Sequence, residues 1–149
     1  MACGERGDRF ETLLGSCVAV VLTDPRRTIG VMCHIVHAGA PVAGAPRTAA
    51  YADVAFETMF QLLHGRGITP RLCEAYVYGG GNMFPGLIRD AHVGASNADR
   101  ALETLDRAGI RVLLHDVGGT TYRRLSWTVG SAAPCMTAID IAAQTEDAR

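Results

Sequence analysis

The 149-residue chain lacks several features that would place it quickly. It has no Lys/Arg run longer than Arg26-Arg27 or Arg123-Arg124, and its formal net charge is −1. No electrostatic footprint for nucleic acid or an anionic membrane is therefore written into it. No apolar run approaches the length of a membrane span, since the stretch Cys17 to Leu22 covers barely a third of one. The first nine residues, Met1 to Arg9, lack the apolar block of a secretory signal. The expectation is a soluble, cytoplasmic protein that neither binds nucleic acid nor inserts into a membrane.

Paired cysteine spacing is missing too. The five cysteines, Cys3, Cys17, Cys33, Cys73 and Cys135, show no C-x-x-C, and an odd number suits reduced thiols better than a disulfide framework. Cys33, Cys73 and Cys135 are expected to be packed as small hydrophobes. Gly79-Gly80-Gly81-Asn82-Met83-Phe84-Pro85-Gly86 has no Lys-Ser/Thr behind it and no third glycine at dinucleotide spacing, which excludes both common phosphate loops. Cys33, His34 and His37 have no second ligand pair at zinc-site spacing. Neither a metal nor an organic cofactor is expected.

What is present describes one domain, hydrophobic over 48% of its residues and charged over 19%. No repeat or linker divides it. Val18 to Thr23 and Thr28 to Val36 read as strands joined by the turn chemistry of Asp24-Pro25-Arg26-Arg27, hence antiparallel. Tyr51 to His64 reads as a helix stopped by Gly65 and Gly67, with Val54, Ala55, Met59, Leu62 and Leu63 near one face. Leu72 to Tyr78 is a strand. A second helix is expected from about Asn97 to Ala108, capped by Ser96 or Asn97. Strands follow at Ile110 to His115, Tyr122 to Val129 and Cys135 to Ile141. The order predicts a single-domain, mixed α/β sandwich. Residues 1–9 and 142–149 are expected to be loose ends around a domain at 10–141.

The chemistry-bearing candidates lie on the first hairpin. A turn centred between Pro25 and Arg26 makes cross-strand partners sum to 51, which sets Cys17 opposite His34, Ala19 opposite Met32 and Val21 opposite Gly30. Directly opposed Cβ atoms lie about 5 Å apart, close enough for a thiol to meet an imidazole. Such an imidazole lowers a thiol's pKa and enriches the nucleophilic thiolate. Cys33, adjacent to His34, points to the other face with Val18, Val20 and Leu22. The competing interpretation is a packed Cys17 and a partly buried structural His34.

Thr12-Leu13-Leu14-Gly15-Ser16-Cys17-Val18-Ala19-Val20 resembles the nucleophile signature of the chemoreceptor glutamine deamidases, the CheD family. Later pieces follow the family's order: Gly30-Val31-Met32-Cys33-His34, Tyr51-Ala52-Asp53, Gly79-Gly80-Gly81-Asn82-Met83, Val93-Gly94-Ala95-Ser96-Asn97 and Asp116-Val117-Gly118-Gly119. The resemblance spans roughly Phe10 to Ile139. After the histidine, the family's apolar residue and Leu-Pro are replaced by Ile35-Val36-His37-Ala38, a change at one wall of the expected cleft.

The resemblance implies a three-layer mixed α/β sandwich, related in active-site design to bacterial toxin deamidases. It implies hydrolysis of glutamine side chains to glutamate on methyl-accepting chemotaxis receptors through a thioester, with no cofactor. Cys17 falls on the nucleophile and His34 on its proton-transfer partner. Thr12 is the candidate for a third catalytic residue that steadies the histidine, with Glu11 as the alternative. Backbone N–H groups near Gly15, Ser16 and Cys17 are the expected oxyanion donors. Gly79, Gly80 and Asn97 are candidates for holding substrate, the bland alternatives being a turn and a helix cap. The expected partners are receptor cytoplasmic domains and, as in some bacteria, a phosphatase of the CheC type. The main rival is a non-catalytic module that binds a receptor or that phosphatase.

Overall fold

The computed structural model describes residues 1–86 and 88–139, with backbone alone over 88–92. The strands are β1 (Ala2–Glu5), β2 (Arg9–Leu14), β3 (Val18–Thr23) and β4 (Ile29–Ile35). Helix α1 (Ala52–Gly65), a 3-10 turn (Pro70–Leu72) and β5 (Glu74–Gly79) follow. The chain then forms α2 (Ile88–Arg107), β6 (Arg111–Val117), β7 (Tyr122–Thr128) and β8 (Cys135–Ile139). The expected tail at 142–149, and the end of the strand expected to reach Ile141, lie outside the described residues.

Two sheets result, one ordered β1-β4-β3-β5-β6 and one ordered β2-β7-β8. The first is mixed, because β5 and β6 run parallel around the α2 crossover while its other pairs are antiparallel. The second is wholly antiparallel. Both helices pack on one face of the five-stranded sheet, burying Val18, Val20, Leu22, Cys33, Met59, Leu63, Val77 and Leu105. The opposite face meets the three-stranded sheet over Ala19, Val21, Met32, Tyr78, Leu125 and Trp127. Three layers follow from this, and β3 is buried along its whole length because both of its faces are covered. Each large side chain so enclosed contributes about 1.5–3 kcal/mol. Trp127 lies where a Cβ on Gly30 would overlap its ring, so that mid-strand glycine makes room for the largest residue of the inter-sheet core.

Five expectations are corrected. Residues 2–5 form β1 against β4, and Gly7 N–H donates to Val129 O at 2.9 Å, so the first nine residues are built into the sandwich. The second helix starts at Ile88, and Ser96 and Asn97 lie well inside it rather than at its cap. Proline ring geometry makes Pro70–Leu72 a 3-10 turn, so β5 begins at Glu74. Cys135 is exposed on the edge strand β8 instead of packed. A register shift between Ala75 and Tyr76 also leaves Leu114 half-exposed, breaking the alternation expected from Ile110, Val112 and Leu114.

Candidate active site

Cys17 stands where the chain passes from the three-stranded sheet into the five-stranded one. β2 ends at Leu14 and β3 begins at Val18, so only Gly15, Ser16 and Cys17 make the passage. A second passage, residues 118–121 between β6 and β7, lies beside it, and the turn after β5 fastens the two. Gly80 N–H donates to Cys17 O at 2.9 Å and Gly81 N–H to Gly15 O at 3.0 Å. Asn82 N–H reaches Gly119 O at 2.8 Å. Gly79 must be glycine here: its φ is +115° and a Cβ would overlap the Cys17 carbonyl oxygen.

Asn97 completes the cradle from α2. Its side-chain amide, 1% exposed, donates from Nδ2 to Ser16 O at 3.1 Å and to Val36 O at 3.0 Å. One amide therefore ties the residue before Cys17 to the end of the strand carrying His34. Gly94, one turn earlier, lets α2 come this close, since a Cβ there would overlap Gly81 O. The carbonyls of Gly15, Ser16 and Cys17 are thus all occupied by donors beneath them. Among the described residues, the N–H groups of Ser16 and Cys17 have no hydrogen-bond acceptor.

The hairpin register differs from the expected one by two residues. Ala19, not Cys17, lies opposite His34, and Val21 lies opposite Met32. The turn is one residue further along, because Arg27 adopts a left-handed φ of 59° while Asp24 caps Thr28 and Ile29 through its carboxylate. A shift of two preserves faces. Cys17 and His34 remain on the inter-sheet side as diagonal neighbours, a relationship with Cα separations of about 7–8 Å in regular sheet. Cys33 lies on the helix side, where burial pushes its thiol up to about 12.

His34 is held from the other sheet. Thr12 Oγ1 lies 2.8 Å from His34 Nδ1. Phe10, Thr12 and Leu14 alternate inward along β2, whereas Glu11 is exposed and paired with Arg9 at 2.6 Å. Between Thr12 and Glu11, the structure brings only Thr12 to the ring. Burial pushes the Cys17 thiol above its ordinary 9.0 and the His34 imidazole below its ordinary 6.5. Both groups therefore favour their uncharged forms at rest, in contrast to the thiolate expected from sequence.

Cys17 opens onto a cavity of about 300 Å³ lined by Gly15, Ser16, Met83, Phe84, Val93 and Tyr122. Gly15 and Ser16 thus lie at the cavity wall, whereas Gly79 and Asn97 lie behind it and Gly80 borders a different recess. Phe84 and Val93 are exposed at its mouth. A shallower depression beside Val93 is bounded by Val36, His37, Ser96 and Asn97. The apolar lining from Phe84, Val93 and Tyr122 was not singled out in the sequence, where these residues belong to no shared periodicity. No helix among the described residues is long and apolar enough to cross a membrane.

A family profile described as "CheD chemotactic sensory transduction" matches residues 38–133, a span beginning past both Cys17 and His34. The chain is 35% identical over 123 residues to a Pseudomonas savastanoi pv. phaseolicola protein named "Probable chemoreceptor glutamine deamidase CheD", covering 80% of this chain and 70% of that one. A relative from Albidiferax ferrireducens, "Probable chemoreceptor glutamine deamidase CheD 2", is 34% identical over 134 residues, covering 85% and 76%. One from Methanococcus vannielii, under the first of these names, is 33% identical over 120 residues, covering 80% and 78%.

Proposed function

Because this chain belongs to the CheD family, we propose that it deamidates glutamine side chains on chemoreceptors, with Cys17 as nucleophile and His34 as the proton carrier. The observation that carries this reading is the position of Cys17 on His34's face of the hairpin, facing a cavity, with the histidine's Nδ1 engaged by Thr12.

The chemistry follows from the groups present. With Nδ1 committed to Thr12, Nε2 is the ring nitrogen left to exchange a proton. The glutamine γ-carboxamide enters the cavity, and the Cys17 sulfur bonds to its carbon as His34 takes the thiol proton. The oxygen becomes an oxyanion, for which the Ser16 and Cys17 N–H groups, without an acceptor among the described residues, are the candidate donors. The carbon–nitrogen bond breaks as His34 returns the proton to the departing amine, releasing ammonia and leaving a thioester. Water then gives a proton to His34 and adds to the thioester carbon, and the carbon–sulfur bond breaks. Cys17 regains its proton and the side chain leaves as glutamate. Thr12 fixes the ring during each of these proton transfers. No metal or organic group is needed to balance these steps.

The test uses a receptor cytoplasmic fragment, incubated with the unsubstituted protein, Cys17→Ser and His34→Ala. Each conversion adds about one dalton, the difference between an amide and an acid. Unsubstituted protein should convert glutamines and both variants should be almost inert while melting normally. Turnover by Cys17→Ser near the unsubstituted rate sinks the assignment, and a protein that binds the fragment without ammonia release would be a docking module instead.

A further inference from the structure

We propose that Arg123 is the positioning residue that keeps the Cys17 loop in its reactive shape, an assignment that rests on the deamidase reading above. Along β7, Arg123, Leu125 and Trp127 point between the sheets, so a guanidinium occupies a place the alternation reserves for an apolar residue. Its side chain is 6% exposed. Arginine is rarely buried so deeply, because removing its charge from water is costly unless partners compensate.

The partners reveal what the position is for. Asp116, 44% exposed, offers a single oxygen at 3.1 and 3.3 Å, which neutralises the charge but is not a two-oxygen fork. The shortest bond goes to backbone: Nη2 donates to Gly118 O at 2.7 Å, and Nη1 donates to Gly79 O at 3.2 Å. Gly79 O also accepts Gly118 N–H at 2.9 Å. Arg123 therefore clamps the turn after β5 to the passage after β6, using the fixed spread of donors that a lysine lacks. That same turn holds the nucleophile, through Gly80 N–H to Cys17 O and through the contact of Gly79 with the Cys17 carbonyl. The path from guanidinium to nucleophile is one hydrogen bond, two glycines and a second hydrogen bond. The neighbouring Tyr122 lines the Cys17 cavity, so a shift of β7 moves the wall as well.

Arg123→Lys and Asp116→Asn in the full chain separate positioning from mere stabilisation. Lysine keeps the charge and loses the double reach, whereas Asp116→Asn leaves both carbonyl contacts intact. Turnover of a receptor cytoplasmic fragment is measured well below the melting temperature, together with hydrogen exchange of single backbone amides by NMR. For Arg123→Lys, kcat should fall at least about tenfold with KM within about threefold, the pattern of a misplaced catalytic group rather than lost binding. The Gly80 and Gly81 amides should lose protection while Val20 and Leu22 keep theirs. Asp116→Asn should retain kcat within about threefold and keep both amides protected. Unchanged kcat in a less stable Arg123→Lys overturns the proposal, as does an equal loss in Asp116→Asn. Should Arg123→Lys not fold, the Asp116→Asn exchange decides: preserved Gly80 protection supports the carbonyl clamp and lost protection overturns it. An unsubstituted protein without turnover would remove the deamidase reading, while the exchange result would still report on the clamp.

Discussion

The Thr12 hydroxyl lies 2.8 Å from Nδ1 of His34, so a residue of the three-stranded sheet orients a ring carried by the five-stranded one. For Nε2 to accept the thiol proton, Nδ1 must carry the other hydrogen and donate it to Thr12 Oγ1. Thr12→Val keeps the shape and removes the acceptor. Its kcat should drop about tenfold, the rate equivalent of a hydrogen bond worth roughly 1–1.5 kcal/mol, and Thr12→Ser should recover most of it. An unaffected Thr12→Val in a receptor-fragment assay would leave the threonine a packing residue.

Burial raises the Cys17 pKa and lowers that of His34, so the reactive one-proton state spans a broad window. The profile of kcat/KM against pH should have its acid limb below 6.5 and its alkaline limb above 9.0. Alkylation of Cys17 by iodoacetamide should still be accelerating as pH climbs to 9.0. A rate plateau extending down to pH 6 would instead reveal a resting thiolate–imidazolium pair. The linked effect on stability has the same sign as the acid limb. The unfolded His34 binds a proton more readily than the folded one, so its contribution is lost as pH falls below 6.5.

Thiol mapping at neutral pH should find Cys135 labelled first, because it is exposed on an edge strand. Cys17 should follow. Cys33 and Cys73, whose thiols burial pushes to about 12 and about 11, should stay unlabelled until the protein unfolds. Labelling of Cys33 ahead of Cys17 in a peptide map would contradict the faces of the hairpin.

Asn97→Ala should lower melting temperature and kcat together. It strands the Ser16 and Val36 carbonyls and frees the Cys17 loop from the His34 strand, at a cost of about 1–3 kcal/mol. Asn97→Asp should be worse, because it sets a carboxylate oxygen against two carbonyls. Its folded-state pKa would be raised, so its deficit should widen as pH climbs above about 4, the ordinary aspartate range. Normal activity in a destabilised Asn97→Ala would reduce the amide to a fold contact.

Gly94→Ala tests the close approach of α2. Alanine in a helix interior ordinarily stabilises by about 1 kcal/mol relative to glycine. Here the added methyl would overlap Gly81 O, so the variant should melt lower and turn over more slowly. A higher melting temperature would show that the turn yields freely.

Which of these relations the sequence revealed depended on how local their causes are. Strand alternation put Cys17 and His34 on one side and Cys33 on the other, and that survived a turn misplaced by one residue because the resulting slip was even. The register itself hinged on the left-handed φ of Arg27, a conformation an arginine does not advertise. The first nine residues of α2, Ile88 to Ser96, escaped the sequence reading because Gly94 weakens the helical pattern there and Asn97 has the chemistry of a cap. Its true partners, Ser16 and Val36, lie 81 and 61 residues away and leave no trace in local sequence. β1 is short and polar enough to pass for a loose end, and only pairing with β4 gives it a structure. Arg123 read only as half of a basic pair, although it precedes Leu125 and Trp127 on the inward face of β7, and its bond to Gly79 O spans 44 residues.

The passage that carries Cys17 has about one residue's step of slack. Sheets packed face to face lie about 10 Å apart, and the four Cα steps from Leu14 to Val18 reach only about 14 Å when straight. Residue count there is consequently a fixed dimension of the molecule, like the length of a rung. Losing one residue would pull β2 or β3 out of register, and adding one would let the sulfur swing away from the imidazole. Engineered variants should tolerate a longer segment between β7 and β8 at small entropic cost, but not a Leu14–Val18 interval of other than three intervening residues.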